Sequence, residues 1–301
     1  MKIKREPLVS VILPAYNAED FLVDSIESII SQTYKNFELI IINDASTDKT
    51  PQIIDSYKKN YPKKIKVISL TSNLNGGGDR CANLGVAQAK GKYIARMDAD
   101  DIAHPTRLEK QVEFLENNPK VVLVGSNAWV INQQGQVIGE KLEPSSPHEI
   151  YTSYFTFHPM IHPSCMIRRE INEKKFEYVI EYSANNDYNT FFRLLCKGHF
   201  FANIPEKLLY YRIHGKNDTF VHVKKKLLNT LKIRYTMVTQ HGYNPTLRGV
   251  ISTFAQATLL LIPEKVLISL YFFTKGITKP NNIFSGVKGQ YKACIAPLFT
   301  R

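Results

Sequence analysis

Through the first hundred residues, short continuous apolar runs alternate with stretches of helical spacing, and this alternation constrains the fold more than any other feature. Val9–Leu13, Phe37–Ile42, Ile65–Leu70 and Lys92–Met97 read as strands. Their apolar residues are not interleaved with polar ones, so both faces of the sheet must be covered. Between them, Ala18 to Gln32 places Leu22, Ile26, Ile29 and Ile30 at helical spacing, with Asn17 as its N-cap. Thr50-Pro51 opens a second helix with proline at its first position, and a third follows the Gly76-Gly77-Gly78 loop to about Lys90. Strands joined by helices make right-handed βαβ units, hence an α/β chain with a mainly parallel central sheet and flanking helices. Such sheets bind ligands beyond the carboxyl ends of their strands.

Polar clusters sit at those ends. The run Tyr93-Ile94-Ala95-Arg96-Met97 gives way to Asp98-Ala99-Asp100-Asp101, three carboxylates within four residues. Crowding and desolvating acids costs free energy, so a cation is expected among them. In an extended segment Asp98 and Asp100 point to the same side, and paired oxygen ligands suit a hard divalent ion that also holds phosphate oxygens. The plainer alternative is that one acid caps the next helix and the others are solvated. Pro14-Ala15-Tyr16-Asn17 and the segment Asn43 to Asp48 form two further clusters, where Asp44 alone serves equally well as a turn cap. A helix from Pro105 to Asn117 follows, then a hairpin of Val121–Asn132 and Gln136–Lys141. His162–Ile167 and Lys207–Ile213 are strand candidates, and Asn186–Cys196 is a helix with Tyr188, Phe191, Phe192 and Leu195 on its apolar side.

Charge divides the 301 residues unevenly. Residues 207–301 carry 15 Lys and Arg against Asp218 and Glu264, while residues 1–206 carry 24 basic and 25 acidic side chains. The charge excess thus lies at the carboxyl end, and the helical pattern from about residue 218 divides the chain into a body of residues 1–217 and a basic helical tail of residues 218–301, the tail suited to an anionic partner. Lys224, Lys225, Lys226, Lys232 and Arg234 surround an apolar recurrence of Val223, Leu227, Leu231, Tyr235 and Val238. The apolar stretches Thr258–Ile262 and Val266–Phe273 are each shorter than the roughly 20 residues of a membrane span, so the tail either lies on a membrane surface or packs on the body. The body is neutral and lacks a recognisable nucleic-acid motif, which argues against a nucleic-acid-binding protein and leaves no nucleic acid among the expected partners. Four scattered cysteines fit reduced thiols in a cytoplasmic protein, and the run Leu8–Leu13 is too short for a signal-peptide core.

Taken together, Val9 to Asn17, Phe37 to Thr50, Gly91 to Asp101 and His162-Pro163-Ser164 resemble the family 2 glycosyltransferases, over about Leu8 to His214. The resemblance implies a GT-A fold, with residues 1–101 as a nucleotide-binding half and 102–217 as an acceptor-binding half. It implies that Pro14, Tyr16 and Asp44 cradle the base, usually uracil. Asp98 and Asp100 match an Asp-x-Asp motif for Mn²⁺ or Mg²⁺: Asp100 as direct ligand, Asp98 reaching the ribose or the metal, with His214, in a segment near the acceptor or diphosphate side, as a further metal residue. Arg80 is offset from the usual basic position but within reach of a phosphate. Asp187 matches the catalytic base of an inverting transfer; without the resemblance it reads as an acid complementing a helix dipole. Asn43-Asp44-Ala45 and Asn186-Asp187 depart from the commoner Asp-Asp-Gly and Glu-Asp without removing a proposed group. The function implied is transfer from a nucleotide-sugar, usually a UDP-sugar, to a glycan or lipid-linked acceptor in bacterial surface polysaccharide synthesis. The expected location is cytoplasmic, peripheral on the inner face of the membrane. A nucleotidyltransferase on a similar sheet would leave the match at Asp187 unexplained.

Overall fold

The computed structural model describes residues 6–74, 78–215, 222–264 and 266–267. Strands β1 (Val9–Ala15), β2 (Phe37–Asn43), β3 (Ile65–Ser69) and β4 (Tyr93–Arg96) are connected by helices α1 (Leu22–Ile30), α2 (Thr50–Asn60) and α3 (Asp79–Gln88). They pair in parallel in the order β3-β2-β1-β4. Every residue of β2 is buried, as its unbroken apolar run requires. Helix α3 lies so close to the sheet that a Cβ on Gly85 would come within 2.8 Å of Ile12 and Ile42.

The second half departs from pure parallel pairing. After β5 (Ile102–Ala103) and α4 (Arg107–Asn117), the long strand β6 (Val121–Ile131) turns back as β7 (Val137–Lys141), and α5 (Pro147–Ser153) follows. The short strand β8 (Met166–Arg168) inserts antiparallel between β4 and β6. Beyond a small hairpin of β9 (Glu170–Ile171) and β10 (Lys174–Lys175), α6 (Asn186–Cys196) leads to β11 (Phe200–Arg212), which is parallel to β6. Of the nine strands in the main sheet among the described residues, β1, β2, β3, β4, β6 and β11 run in one direction, and β5, β7 and β8 oppose them. One apolar layer gathers Leu22, Ile26, Leu108 and Leu115 on one face, and the other gathers Ala82, Phe191, Phe192, Ile233 and Met237.

Several local expectations change. Helix α1 starts at Leu22, and Asn17 adopts a left-handed backbone (φ +46°). Its Oδ1 accepts from the Thr47 amide instead of capping the helix. His162–Ser164 is a 3-10 turn, so β8 begins only at Met166, and Lys207 falls inside the 13-residue β11. The largest revision concerns α7 (Val223–His241). It buries Asn229, Ile233, Arg234 and Met237, leaving Tyr235 71% exposed and Val238 37% exposed. Its buried side packs on α6 through Ile233 and Met237, so of the expected apolar recurrence Tyr235 and Val238 face solvent while Val223, Leu227 and Leu231 are only partly buried. Arg234, expected among the surface cations, is 1% exposed. Helix α8 (Leu247–Thr258) follows, with a short 3-10 turn at Leu259–Leu261. No helix among the described residues is long and apolar enough to cross a membrane, and the apolar residues 268–273 lie outside the described set.

Candidate active site

The carboxyl ends of β1, β2 and β4 open into a cleft of about 1160 Å³ that also reaches α6 and α7. Pro14 and the half-exposed Tyr16 leave the tip of β1, and the buried Asp44 follows β2; all three line one end. The Asp44 Oδ1 accepts from the Leu74 amide at 2.8 Å, which orients the carboxylate and leaves it beside the cleft. Asp44 therefore braces a loop and lines the cleft at once.

Next along the wall are the clustered acids. Strand β4 ends at Arg96, so Asp98 and Asp100 stand in the turn beyond it and not in alternating strand positions. Ligand atoms of Asp98, Asp100 and Asp101 nonetheless lie within 4.8 Å of one another. Asp101 turns inward, where its Oδ1 accepts from the Arg212 amide and its Oδ2 is buried without a hydrogen bond. Burial pushes the carboxyls of Asp98 and Asp101 upward; Arg96 opposes this for Asp98, whereas the neighbouring acids add to it for both. Arg212, at the end of β11, also bonds the Asp100 carbonyl and Asp24, fixing the strand against this turn. Two residues on, His214 places Nε2 2.9 Å from Asp100 Oδ2, its ring against Phe21. An oxygen-rich set with one imidazole, mutually repelling and partly unsatisfied, fits a divalent cation such as Mn²⁺ or Mg²⁺.

Arg80 belongs to the first turn of α3 but is exposed and is not among the residues lining the cleft. The cation that reaches the acids is Arg96, 4% exposed, with Nη2 2.8 Å from Asp98 Oδ1 and a buried Nε lacking a hydrogen bond. Room for it comes from Gly78, whose left-handed backbone (φ +84°) opens α3 and whose missing Cβ would stand 3.1 Å from Arg96 Nη2. A charged residue inside the apolar β4 run was the available signal for it.

At the far end, Asp187 occupies the first turn of α6. The preceding Asn185 is left-handed, and Asn186 is fully buried, its Oδ1 accepting from the amides of Glu181 and Tyr182. The residue before Asp187 thus has a structural task that an amide performs. His158 Nε2 approaches Asp187 Oδ2 at 3.3 Å, and His162 Nδ1 at 3.8 Å. Burial would raise the Asp187 carboxyl, but His158 and the Tyr188 backbone outweigh it and hold the group well below its ordinary value. Burial pushes His162 down to about 3, so its neutral ring shares a hydrogen bond with the Tyr178 hydroxyl at 2.8 Å. The repeated His-Pro pairs at 158–159 and 162–163 were the sequence signal for His158.

A mainly parallel sheet whose strand ends bring Asp44, Asp98 and Asp100 into one cleft with Asp187 of α6 has the GT-A architecture of glycosyltransferases. Residues 10–176 match the profile of glycosyl transferase family 2, and the chain belongs to that family. An Escherichia coli relative, the UDP-Glc:alpha-D-GlcNAc-diphosphoundecaprenol beta-1,3-glucosyltransferase WfaP, is 34% identical over 208 residues, covering 69% of this chain and 78% of its own. Among solved structures, Staphylococcus aureus TarS in complex with UDP superposes with a TM-score of 0.60 at 17% identity, over 93% of this chain and 75% of that one. The Pyrobaculum calidifontis mannosyltransferase PcManGT, in complex with GDP-Man and Mn²⁺, also gives 0.60 at 15% identity, over 98% and 80%.

Proposed function

We propose that the chain transfers a hexosyl or N-acetylhexosaminyl group from a UDP-sugar to a lipid-linked glycan acceptor, inverting the anomeric carbon. The carrying observation is the single cleft that holds a base-cradling end, a cation-binding turn and an ionised carboxylate at a helix start. Tyr16 would stack on the base and Asp44 accept its imide N–H. Arg96 takes the phosphate role expected of Arg80. Asp98 and Asp100, with His214 beside them, would hold the divalent ion, which supplies neutralisation of the charge developing on the departing diphosphate. Asp187, kept in its proton-accepting form by His158, takes the acceptor hydroxyl proton as that oxygen bonds to the anomeric carbon and the diphosphate leaves with the glycosidic electron pair. One displacement inverts the centre, and no covalent enzyme intermediate is needed.

Two features favour a lipid-linked acceptor and a peripheral position on the inner face of the membrane. Val223, Lys226, Leu227 and Thr230 of α7 form a rim of the cleft. Leu247, Ile251 and Phe254 of α8 are 77%, 60% and 72% exposed, an outward apolar face on the helix that packs beside α7. The WfaP relative, whose name gives a diphosphoundecaprenol acceptor, supports the same reading. A screen of nucleotide sugars for transfer and hydrolysis, with and without Mn²⁺ and with Asp100→Ala alongside, tests donor and metal together. Turnover of a UDP-sugar that stops with EDTA and in Asp100→Ala is expected; full activity under both conditions would refute the metal assignment.

A further inference from the structure

The family assignment and the sequence motifs leave one buried acid of the cleft without a task. Asp79, in the first turn of α3, is 3% exposed, yet it lines the cleft, and its Oδ1 is buried without a hydrogen bond. Charged groups this deep are ordinarily paired. The cation sharing this wall, Arg96, pairs with Asp98. His162 Nε2 stands 3.9 Å from Asp79 Oδ1, beyond hydrogen-bond distance, and is committed to the Tyr178 hydroxyl. The Asp187 backbone amide helps to hold the Asp79 carboxyl, which ties its position to the start of α6. Burial and the charge of Asp187 nevertheless drive its protonation well above the ordinary carboxyl range. An acid left in this state is a polar atom waiting for a partner that arrives with the substrate.

Its location says which part of the substrate. The base belongs near Pro14, Tyr16 and Asp44, the diphosphate belongs by Asp98, Asp100 and Arg96, and the bond to be broken must lie within reach of Asp187. The sugar ring therefore falls between the acidic turn and α6. Asp79 sits in that interval, next to Arg96 on one side and to His162 and Asp187 on the other. Resting on the nucleotide-sugar reading above, we propose that Asp79 is a specificity-determining residue of the donor-sugar subsite, its free Oδ1 bonding a ring hydroxyl of the transferred sugar. A buried acid that pairs with one hydroxyl discriminates against sugars lacking it, because its oxygen is then left unsatisfied.

UDP itself carries no sugar, and this separates recognition of the sugar from upkeep of the site. Full-length wild type, Asp79→Asn and Asp79→Ser would be titrated with UDP and with UDP-glucose, UDP-galactose, UDP-GlcNAc and UDP-GalNAc, with circular dichroism confirming the fold. Expected is an unchanged affinity for UDP together with a loss of about tenfold to a hundredfold for the preferred UDP-sugar in Asp79→Ser. Deoxy analogues of that sugar test the same contact on wild-type protein, whatever the variants do. One analogue should lose a similar factor against wild type and lose nothing further against Asp79→Ser. Equal losses for UDP and UDP-sugar, or no deoxy position that couples to Asp79, would overturn the assignment while leaving the donor reading intact. Wild type that binds none of the four sugars would remove the donor reading, and this one with it.

Discussion

Replacing Arg234 tests whether α7 belongs to the body or to a surface. Arg234 is 1% exposed, and its guanidinium is held by hydroxyl, amide and carbonyl oxygens. Nε donates to the Tyr188 hydroxyl at 3.2 Å and Nη1 to Thr253 Oγ1 at 3.2 Å and Gln256 Oε1 at 3.0 Å. Nη2 donates to the Thr156 carbonyl at 2.6 Å. One side chain thus joins α7 to α6, to α8 and to the segment after α5. Most partners keep an alternative when it goes. Thr156 O still accepts from Gln256, Thr253 still donates to Phe155 O, and Tyr188 still donates to Tyr154 O. Among the acceptors, Gln256 Oε1 is the one stranded. Arg234→Met, which refills the volume, should therefore cost about 1–3 kcal/mol, near the value of one or two hydrogen bonds to a charged donor. Arg234→Ala adds a cavity and should cost about 3–5 kcal/mol. At about 2–4 °C per kcal/mol for a chain of this size class, Arg234→Ala should melt at least roughly 6 °C lower. Differential scanning fluorimetry and urea unfolding measure both, with the exposed Lys232→Gln as a control expected within about 0.5 kcal/mol of wild type. Arg234→Ala melting with wild type would mean a solvated guanidinium, and the docking of α7 on α6 would be wrong.

Three further outcomes are expected. Asp187→Asn keeps shape but cannot take a proton, so kcat should fall by about 10²-fold or more with donor affinity little changed, measured by steady-state transfer and UDP-sugar titration; near-normal turnover would return Asp187 to a helix-dipole role. Lys224, Lys225 and Lys232 replaced by Gln, sparing Lys226 in the cleft wall, should release the protein from anionic vesicles in a flotation assay without altering donor hydrolysis, and wild type that fails to float at low salt would refute the membrane reading. Glu38 accepts from Ser10, Lys66 and the Lys90 amide at 2.6–2.8 Å; burial opposes its charge, but these partners win and hold the group below its ordinary 4.5. The unfolded chain therefore binds the proton more readily, so this stabilisation is full above about pH 4.5 and fades as pH falls through the lower native value. Melting curves from pH 7 to 3 should show that decline in wild type and a flatter one in Glu38→Gln, which should be about 1–3 kcal/mol less stable at pH 7; parallel curves would contradict it.

The sequence by itself determined the βαβ half of the molecule and which polar residues gather at its cleft. Unbroken apolar runs such as Phe37–Ile42 have one stable use, as strands covered on both faces, and a parallel sheet collects whatever polar residues follow them at one edge. Asp44, Asp98 and Asp100 could be placed from local pattern because each lies within a few residues of its strand. Contacts between distant segments were another matter. His158 meets Asp187 across 29 positions, and Arg96, a strand side chain, reaches into the cleft to Asp98 while Arg80, on the helix, faces out. The short reversed β8 carries no periodicity of its own and exists because β4 and β6 each present an edge to be paired. Arg234 reads as a surface cation in any linear pattern. Only the tertiary structure decided otherwise, since burial of a charge depends on whether hydroxyls and carbonyls from three other elements converge around it.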